Sequence, residues 1–430
     1  MSNAARRTDN YLSSHRLGDL FSQSHEKGVP NLPIVSLTMD RGLVLRDDVE
    51  RRVETALPPE GHRLVRKGEL AYNMMRMWQG VCRAATFDCL ISPAYVVLHP
   101  RSGVDATFAE YLLRFEETVA SFRRLSFGVV DDRLRLYFKD FRRVEVAIPS
   151  SENVQRKIAR ILTTVDNLIE KTESLIAKYQ ATKQGMMHDL FSRGVDANGH
   201  LRPTYEEAPD LYKPSGVGWI PKEWDIVPLR TIVQIGNGVT LGRKLPKHQT
   251  VDVPYLRVAN VQDGYLDLSE IKTVSVMKEE VEGFSLRTGD VLLTEGGDFD
   301  KLGRGWVWNG QIDPCLHQNH IFRIRPDLSV MDPEYLATLA GSPYGKAYFQ
   351  RSSKQTTNLA TINSTQLKAF PVILPPLPEQ NRIVTRLAII RSRIETETGL
   401  LNKRVTLKSG LKQDLLTGKV RVKVDESEGQ

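Results

Sequence analysis

Two long stretches of the chain carry apolar residues along a narrow stripe at helical spacing. The first stripe, interrupted only by polar Thr172, consists of Ile158, Leu162, Val165, Ile169, Ile176 and Tyr179. The second keeps the same phase with Ile383, Leu387, Ile390, Ile394 and Leu401. Spacings that alternate between four and three residues are typical of a coiled-coil seam. The pattern predicts two long helices that pair through these residues; the alternative, that each helix packs only on its own globule, stays open.

The two stretches are copies of one another at an offset of 225 residues without a gap. Identical residues recur at that offset from Gln155 and Gln380 at the start to Val195 and Val420 at the end. Each run of about 35 residues corresponds to a helix of roughly 50 Å. Gly185 and Gly410 are expected to interrupt the helices near their ends.

The regions before each helix correspond more weakly, as in 65–71 with 286–292 and 146–149 with 372–375. Short alternating stretches such as 94–98 and 321–324 are typical of strands. The chain is therefore expected to be α+β, with two mixed, strand-rich globules and an internal pseudo-twofold repeat. The expected boundaries are globule 1–150, helix 151–195, polar linker 196–220, globule 221–375, helix 376–424 and a disordered acidic tail 425–430.

Charge and cysteine content change this picture little. The net charge of +7 mildly favours a polyanionic partner. Three scattered cysteines form no disulfide framework, which is typical of a reducing compartment. Neither a signal peptide nor an apolar run of about 18 residues occurs, so we expect a soluble cytoplasmic protein without a membrane partner.

Three short motifs resemble those of the DNA-specificity subunits of type I restriction–modification systems. Pro375–Gln380 (PPLPEQ) leads into the second helix, Lys412–Gly418 (KQDLLTG) ends it, and Ile220-Pro221 with Trp224 opens the second globule. The resemblance covers nearly the whole chain. The first half departs from it, since 149–155 replaces the PLPEQ entry and no IPxxW motif opens the first globule.

The resemblance implies two target-recognition domains, each of which reads one half of an interrupted site in double-stranded DNA. The helices would pair antiparallel as a ruler and as the docking platform for two methyltransferase subunits, which restriction subunits can join. S-adenosylmethionine, and ATP with Mg²⁺ for restriction, would be bound by those partners, so that this chain has no catalytic, cofactor or metal site. Because the two globules differ in sequence, the two half-sites should differ too.

Side chains that could contact DNA are polar or basic residues on loops able to enter a groove. In the first globule the candidates follow the turn at Gly68: Asn73, Arg76 and Gln79. The neighbouring Met74, Met75, Met77 and Trp78 are better explained as core. In the second globule the candidates are Asn237, Arg243, Lys244, Lys301, Arg304, Gln318, Asn319, Lys354, Thr357 and Asn358. Ordinary solvated surface is the alternative for each residue.

Catalytic interpretations find little support. Pro375-Pro376 lacks the flanking residues of an adenine-methyltransferase motif, and no phosphate-binding GxxxxGK[ST] loop occurs. His317, His320 and Cys315 lack a fourth metal ligand nearby. Two other functions stay open: the specificity subunit of a type IIB-like system, and a coiled-coil adaptor without DNA specificity.

Overall fold

The computed structural model describes residues 11–39, 41–48, 57–128, 134–299, 302–355 and 360–424. The chain divides into two compact units, Met1–Glu173 with Gly399–Gln430, and Ser174–Thr398. Two long helices, α5 (Glu152–Ser192) and α10 (Leu377–Leu416), each contribute one half to each unit. The expected acidic tail at 425–430 lies outside the described residues.

The first unit contains ten strands and four short helices among its described residues. The strands are β1 Leu12–Arg16, β2 Phe21–Ser24, β3 Val35–Thr38, β4 Gly42–Leu45, β5 Arg63–Val65, β6 Leu70–Asn73, β7 Cys82–Ala84, β8 Cys89–Ile91, β9 Tyr95–Pro100 and β10 Glu145–Pro149. The helices are α1 Leu17–Leu20, α2 Ala106–Leu113, α3 Glu116–Leu125 and α4 Phe138–Phe141. A four-stranded antiparallel sheet of order β2-β9-β6-β7 forms its centre, and β1 pairs with β10.

The second unit repeats this plan with additional strands. They are β11 Tyr212–Ser215, β12 Gly218–Pro221, β13 Asp225–Pro228, β14 Val233–Gly236, β15 Thr250–Leu256, β16 Lys272–Met277, β17 Val291–Thr294, β18 Gly296–Gly297, β19 Gly305–Val307, β20 Leu316–His317, β21 Ile321–Pro326, β22 Lys354–Gln355, β23 Ala360–Thr361 and β24 Pro371–Leu374. The short helices are α6 Val281–Phe284, α7 Pro333–Gly341, α8 Pro343–Ser352 and α9 Ser364–Lys368. The hairpin β11–β12 occupies the last part of the expected linker 196–220 and ends one residue beyond it, at Pro221.

The internal repeat is confirmed by strand order. The sheet β14-β21-β17-β19 has the same order as β2-β9-β6-β7, and the pair β13–β24 matches β1–β10. Each unit also has a parallel β-contact just before equivalent strands. Ile34 pairs with Leu90 before β9, and Tyr255 pairs with Leu316 before β21. The α+β prediction with two strand-rich globules is therefore correct.

Each globule has its own aromatic core. In the first, the Phe141 ring stacks on Tyr72 and Phe122 at centroid separations of 5.4 and 5.5 Å. In the second, Phe349 and Phe370 lie 5.0 Å apart, and both are fully buried. Aromatic side chains of this size each bury about 150–250 Å², so these clusters dominate the stability of the two globules.

The helices pair antiparallel within each unit, as predicted. In the first unit the Lys408 Nζ lies 2.6 Å from the Asp166 carboxylate, and farther along α5 the Arg404 guanidinium donates to the Thr172 hydroxyl. In the second unit, residues near the end of α5 share one core with the start of α10. Ile158, Leu162, Val165, Ile383, Leu387 and Ile390 are buried, and Ile169, Ile176, Ile394 and Leu401 are half-buried.

The alternative packing also contributes. Ile158 and Leu162 belong to the core of the first globule together with Leu415 and Leu416. The first residues of each apolar stripe therefore pack against a globule as well as against the partner helix.

The expected helix interruptions at Gly185 and Gly410 are wrong. Both helices run through these positions without a break. A glycine inside a helix costs only about 1 kcal/mol relative to alanine, which the packing of the flanking turns offsets.

A buried glutamine at the start of α5 ties that helix to the first globule. The Gln155 amide donates to the Pro149 carbonyl at 2.9 Å and to the Gly103 carbonyl at 3.0 Å. Its oxygen accepts from the backbone of Asp105 at 3.0 Å, and the Asp105 carboxylate in turn caps α2. One side chain thus joins a strand, a loop and two helices; we call it the glutamine latch.

The second globule contains the same latch, built by Gln380. Its amide donates to the carbonyls of Pro375 at 2.8 Å and Val330 at 2.9 Å, and its oxygen accepts from the backbone of Asp332 at 2.9 Å. Asp332 caps α7 as Asp105 caps α2. Both glutamines are fully buried. The frame is therefore repeated down to individual hydrogen bonds.

Candidate nucleic-acid interface

In the first globule Asn73 is the last residue of β6, and Arg76 and Gln79 lie on the loop between β6 and β7. Arg76 and Gln79 are exposed, and their side chains hydrogen-bond at 3.3 Å. The Asn73 carboxamide is half-buried and accepts from the Met75 backbone at 2.9 Å, which shapes the turn. Asn73 is thus partly a structural residue, while Arg76 and Gln79 present donors to solvent.

The apolar members of this loop divide into two groups. Met77 is fully buried, as the core interpretation predicts, whereas Met75 is 44% exposed. Trp78 is half-buried, and its indole donates to the Met75 carbonyl at 2.9 Å. The loop therefore carries an aromatic ring near its surface beside the two polar candidates.

Two basic residues that sequence reasoning missed lie beside this loop. The Arg123 guanidinium is 5.8 Å from the Trp78 ring centre. The backbone of Leu136 donates to the Met74 carbonyl at 2.9 Å, which places exposed Arg135 next to the loop. No local signal could have found them, because both come from segments more than 40 residues further along the chain.

In the second globule, backbone hydrogen bonds bring four loops to one edge of the sheet. The Val239 amide donates to the His317 carbonyl at 2.8 Å, and the Glu295 amide donates to the His320 carbonyl at 3.0 Å. Gly296 then pairs with Thr361, which pairs with Lys354. The described parts of these loops that adjoin the sheet therefore form one surface, which we call the loop cluster: residues 237–239, 295–297, 318–320 and 354–355.

The candidate residues in and beside this cluster differ in how far their side chains are exposed. Asn237 and Lys354 are exposed, and Gln318 and Asn319 are half-buried. Arg304 is half-buried, and its Nε has no hydrogen-bond partner among the described residues. Lys301, Thr357 and Asn358 lie outside the described residues.

Arg243 and Lys244 lie on an exposed segment further along the first of these loops. The Arg243 guanidinium binds the Glu280 carboxylate through two contacts of 2.8 and 3.0 Å. This hydrogen-bonded pair raises the pKa of Arg243 and lowers the pKa of Glu280. The carboxylate also cancels much of the positive charge that a phosphate contact would need, so Lys244 is the better candidate of the two.

His317 has a structural role in the loop cluster, since its side chain binds the backbone. Its Nδ1 donates to the Ile321 carbonyl at 3.1 Å, and burial lowers its pKa to about 4. Among the described residues no group of three His, Cys, Asp or Glu side chains is placed to hold a metal ion. A neutral imidazole that holds the start of β21 explains this residue.

The surfaces of the two globules occupy equivalent places in the repeated sheet. The loop 74–81 follows β6, and the loop 295–304 follows the equivalent strand β17. The second loop is two residues longer and carries different side chains. The frame is the same in both globules, but the side chains that it presents differ.

A family model described as the type I restriction modification DNA specificity domain matches residues 76–178 and 221–404. The chain belongs to this family. Both matched segments extend from a globule into the following long helix, so the family match coincides with the structural repeat.

Specificity subunits of Methanocaldococcus jannaschii are among the relatives. The protein assigned as the MjaX specificity subunit is 28% identical over 179 residues, which is 41% of this chain and 41% of that protein. The MjaVIII specificity subunit of a type I restriction enzyme is 26% identical over 365 residues, 82% of this chain and 80% of that protein. The match with MjaX thus spans less than half of that relative.

A solved structure has the same fold. The crystal structure of a type I restriction–modification S subunit from M. genitalium aligns with a TM-score of 0.55 at 13% identity, over 97% of this chain and 99% of that one. No helix in the part of this chain that the structure describes is both long and apolar enough to cross a bilayer.

Proposed function

We propose that this chain is the sequence-specific DNA-binding subunit of a type I restriction–modification enzyme and performs no catalysis itself. In this proposal it reads an interrupted, asymmetric site, one half with each globule. The observation that carries the proposal is that the same strand order occurs in both globules, whereas the loops at the equivalent edge of the two sheets differ in sequence. Base identity is read by side chains that reach base edges, so two different loop sets read two different half-sites.

The partners in this proposal are two methyltransferase subunits, which restriction subunits can join. S-adenosylmethionine, and ATP with Mg²⁺ for restriction, are bound by those partners. The proposal of these partners is supported by the family match, which extends from each globule into the long helix that follows it.

The test is long-read sequencing of modified bases in the source genome, with the gene intact and deleted. We expect deletion to remove one methylated motif made of two specified parts and an unspecified spacer. Persistence of every motif after deletion would refute the proposal.

A domain exchange tests the division of labour. Replacing residues 221–375 with the second globule of another family member should change one half of the motif and leave the other half unchanged. A change in both halves contradicts the assignment of one half-site to each globule.

The affinity of the purified chain for duplex DNA, measured against salt concentration, separates a DNA reader from an adaptor. Neutralised phosphates release counterions, so the logarithm of affinity should fall steeply with the logarithm of salt concentration. A flat response would favour the adaptor.

A further inference from the structure

The turn Gln318–Asn319–His320 is rigidly held at the centre of the loop cluster. The amide of Gln318 donates to the Leu256 carbonyl at 2.9 Å, and that of Asn319 donates to the Val239 carbonyl at 3.0 Å. The Ile321 amide closes the turn on the Gln318 carbonyl at 2.9 Å. A backbone fixed from both sides holds the turn in one conformation before any ligand arrives, which lowers the cost of binding.

His320 is exposed but oriented. Its Nδ1 lies 2.8 Å from a Glu295 carboxylate oxygen, and the two side chains are 58% and 32% exposed. Glu295 is itself fixed, because its amide donates to the His320 carbonyl at 3.0 Å and its carbonyl accepts from Ile362 at 2.9 Å. With Nδ1 engaged by the carboxylate, Nε2 is the ring nitrogen that remains for a ligand.

The first globule has the same turn without these side chains. There Ser92–Pro93–Ala94 precedes β9, and the Tyr95 amide closes the turn on the Ser92 carbonyl at 3.1 Å. The backbone bond recurs, but proline and alanine stand where the second globule has asparagine and histidine. The latch glutamines show that residues with a structural role in the frame recur in both globules. The histidine and its carboxylate partner have no such counterpart, which favours a role in recognition.

The charge of the pair favours a base edge over a phosphate. A carboxylate at 2.8 Å cancels the charge of a protonated imidazole, and it repels phosphate when the imidazole is neutral. Base edges in the major groove instead offer both amino donors and ring-nitrogen acceptors. From these observations we infer that His320, positioned by Glu295, contacts a base edge in the half-site read by the second globule. The inference rests on the proposed function and names a specificity-determining residue within it.

The test compares the methylated motif of the source genome in strains that carry wild-type, H320A or E295A alleles. We expect both variants to keep the first half and the spacer. At least one position of the second half should relax, with about tenfold weaker discrimination among bases. The same position should relax in both variants, because Glu295 acts by orienting the imidazole. A purely structural role would not produce a change confined to one base position.

A matched control lies in the first globule. His99 is also exposed, at 63%, and pairs with Glu69 at 3.2 Å, but it lies on β9 and not on the turn. H99Q should therefore leave the whole motif unchanged.

The salt dependence of DNA binding separates base contact from phosphate contact. The purified full chain is titrated with a duplex that contains the wild-type motif. H320A should lower the affinity without changing the slope of log affinity against log salt. A slope smaller by about one unit would mean a phosphate contact and would overturn the inference.

The remaining outcomes also decide between the inference and its alternatives. A motif identical in wild type, H320A and E295A overturns the inference while the proposed function stands. If H320A abolishes the motif altogether, E295A, which removes the orienting carboxylate and keeps the imidazole, decides by whether the second half relaxes. If deletion of the gene removes no motif, the proposed function fails, and this inference fails with it.

Discussion

Replacement of Gln380 by alanine should destabilise the second globule without disturbing the first. The latch satisfies the backbone of Asp332, Val330 and Pro375, and the side chain is fully buried. In Q380A these three groups lose their partner in a place where water has little access. The Asp332 cap of α7 and the entry of α10 should therefore loosen together.

The magnitude follows from the contacts. Three hydrogen bonds contribute about 1 kcal/mol each, and the one buried methylene group that is lost adds about 0.8 kcal/mol. Partial relaxation and entry of water offset some of this loss. We expect Q380A to lower the free energy of unfolding of the second globule by about 3 kcal/mol.

Hydrogen–deuterium exchange of the full chain, resolved by peptide, measures this locally. Peptides from α7 and β24 should exchange faster in Q380A by the factor that corresponds to the lost free energy, whereas peptides from α2 and β10 should be unchanged. Q155A should give the mirror result, because Gln155 makes the equivalent bonds in the first globule. Q413A, which truncates an exposed glutamine on α10, is the control and should change neither globule.

Two results would refute this reasoning. A loss below about 1 kcal/mol in both latch variants would mean that water or backbone movement replaces the latch without cost. Equal acceleration of exchange in both globules would mean that the latches do not act locally.

Other perturbations test the seam, the buried histidine and the loop cluster. Ile390→Asp places a charge in the helix seam and should lower the free energy of unfolding by about 3–5 kcal/mol, with reduced methylation of the motif in vivo. Leu162→Asp should also unfold the first globule, because Leu162 belongs to its core, and near-ultraviolet circular dichroism would report the loss. Burial lowers the folded-state pKa of His317 to about 4, against about 6.5 when unfolded, so acid protonates the unfolded chain first. Stability should therefore fall by about 2 kcal/mol between pH 7 and pH 5 in urea titrations, and H317Q should lack this part of the fall. Gly238→Ala would place a Cβ 2.2 Å from the His317 carbonyl oxygen, so it should displace the turn and weaken the second half of the motif in modified-base sequencing, whereas an unchanged motif would count against the role of the turn.

The sequence predicts the repeat well because both copies carry apolar residues at the same periodic positions. The four-and-three spacing identified both long helices, and the shared offset identified them as copies. The glycine interruptions were wrong because local helix propensity at Gly185 and Gly410 is weak against the packing of whole helices. Gln155 and Gln380 were visible as identical residues, but their role depends on carbonyls contributed by other elements of the fold.

The candidate nucleic-acid surfaces are only partly predictable for a related reason. Gln318 and Asn319 stood out as polar residues before a strand, and the structure places both in the loop cluster. From the sequence alone His320 fits only a metal-ligand interpretation, because its partner Glu295 follows β17, 25 residues earlier in the chain. Arg123 and Arg135 reach the first loop by tertiary packing alone. Local spacing does not encode which distant loops meet at one edge of a sheet.

The unequal turns have a consequence for how much information each half of the chain can extract from DNA. Ser92–Pro93–Ala94 offers one short hydroxyl, whereas Gln318–Asn319–His320 offers three side chains able to form hydrogen bonds. A reader with more independent contacts can exclude more of the four bases at more positions. Under the proposed function, this turn of the second globule can therefore specify more bases than the equivalent turn of the first. The rarity of target sites in a genome, and the number of places that the enzyme must protect, then depend in part on these three side chains.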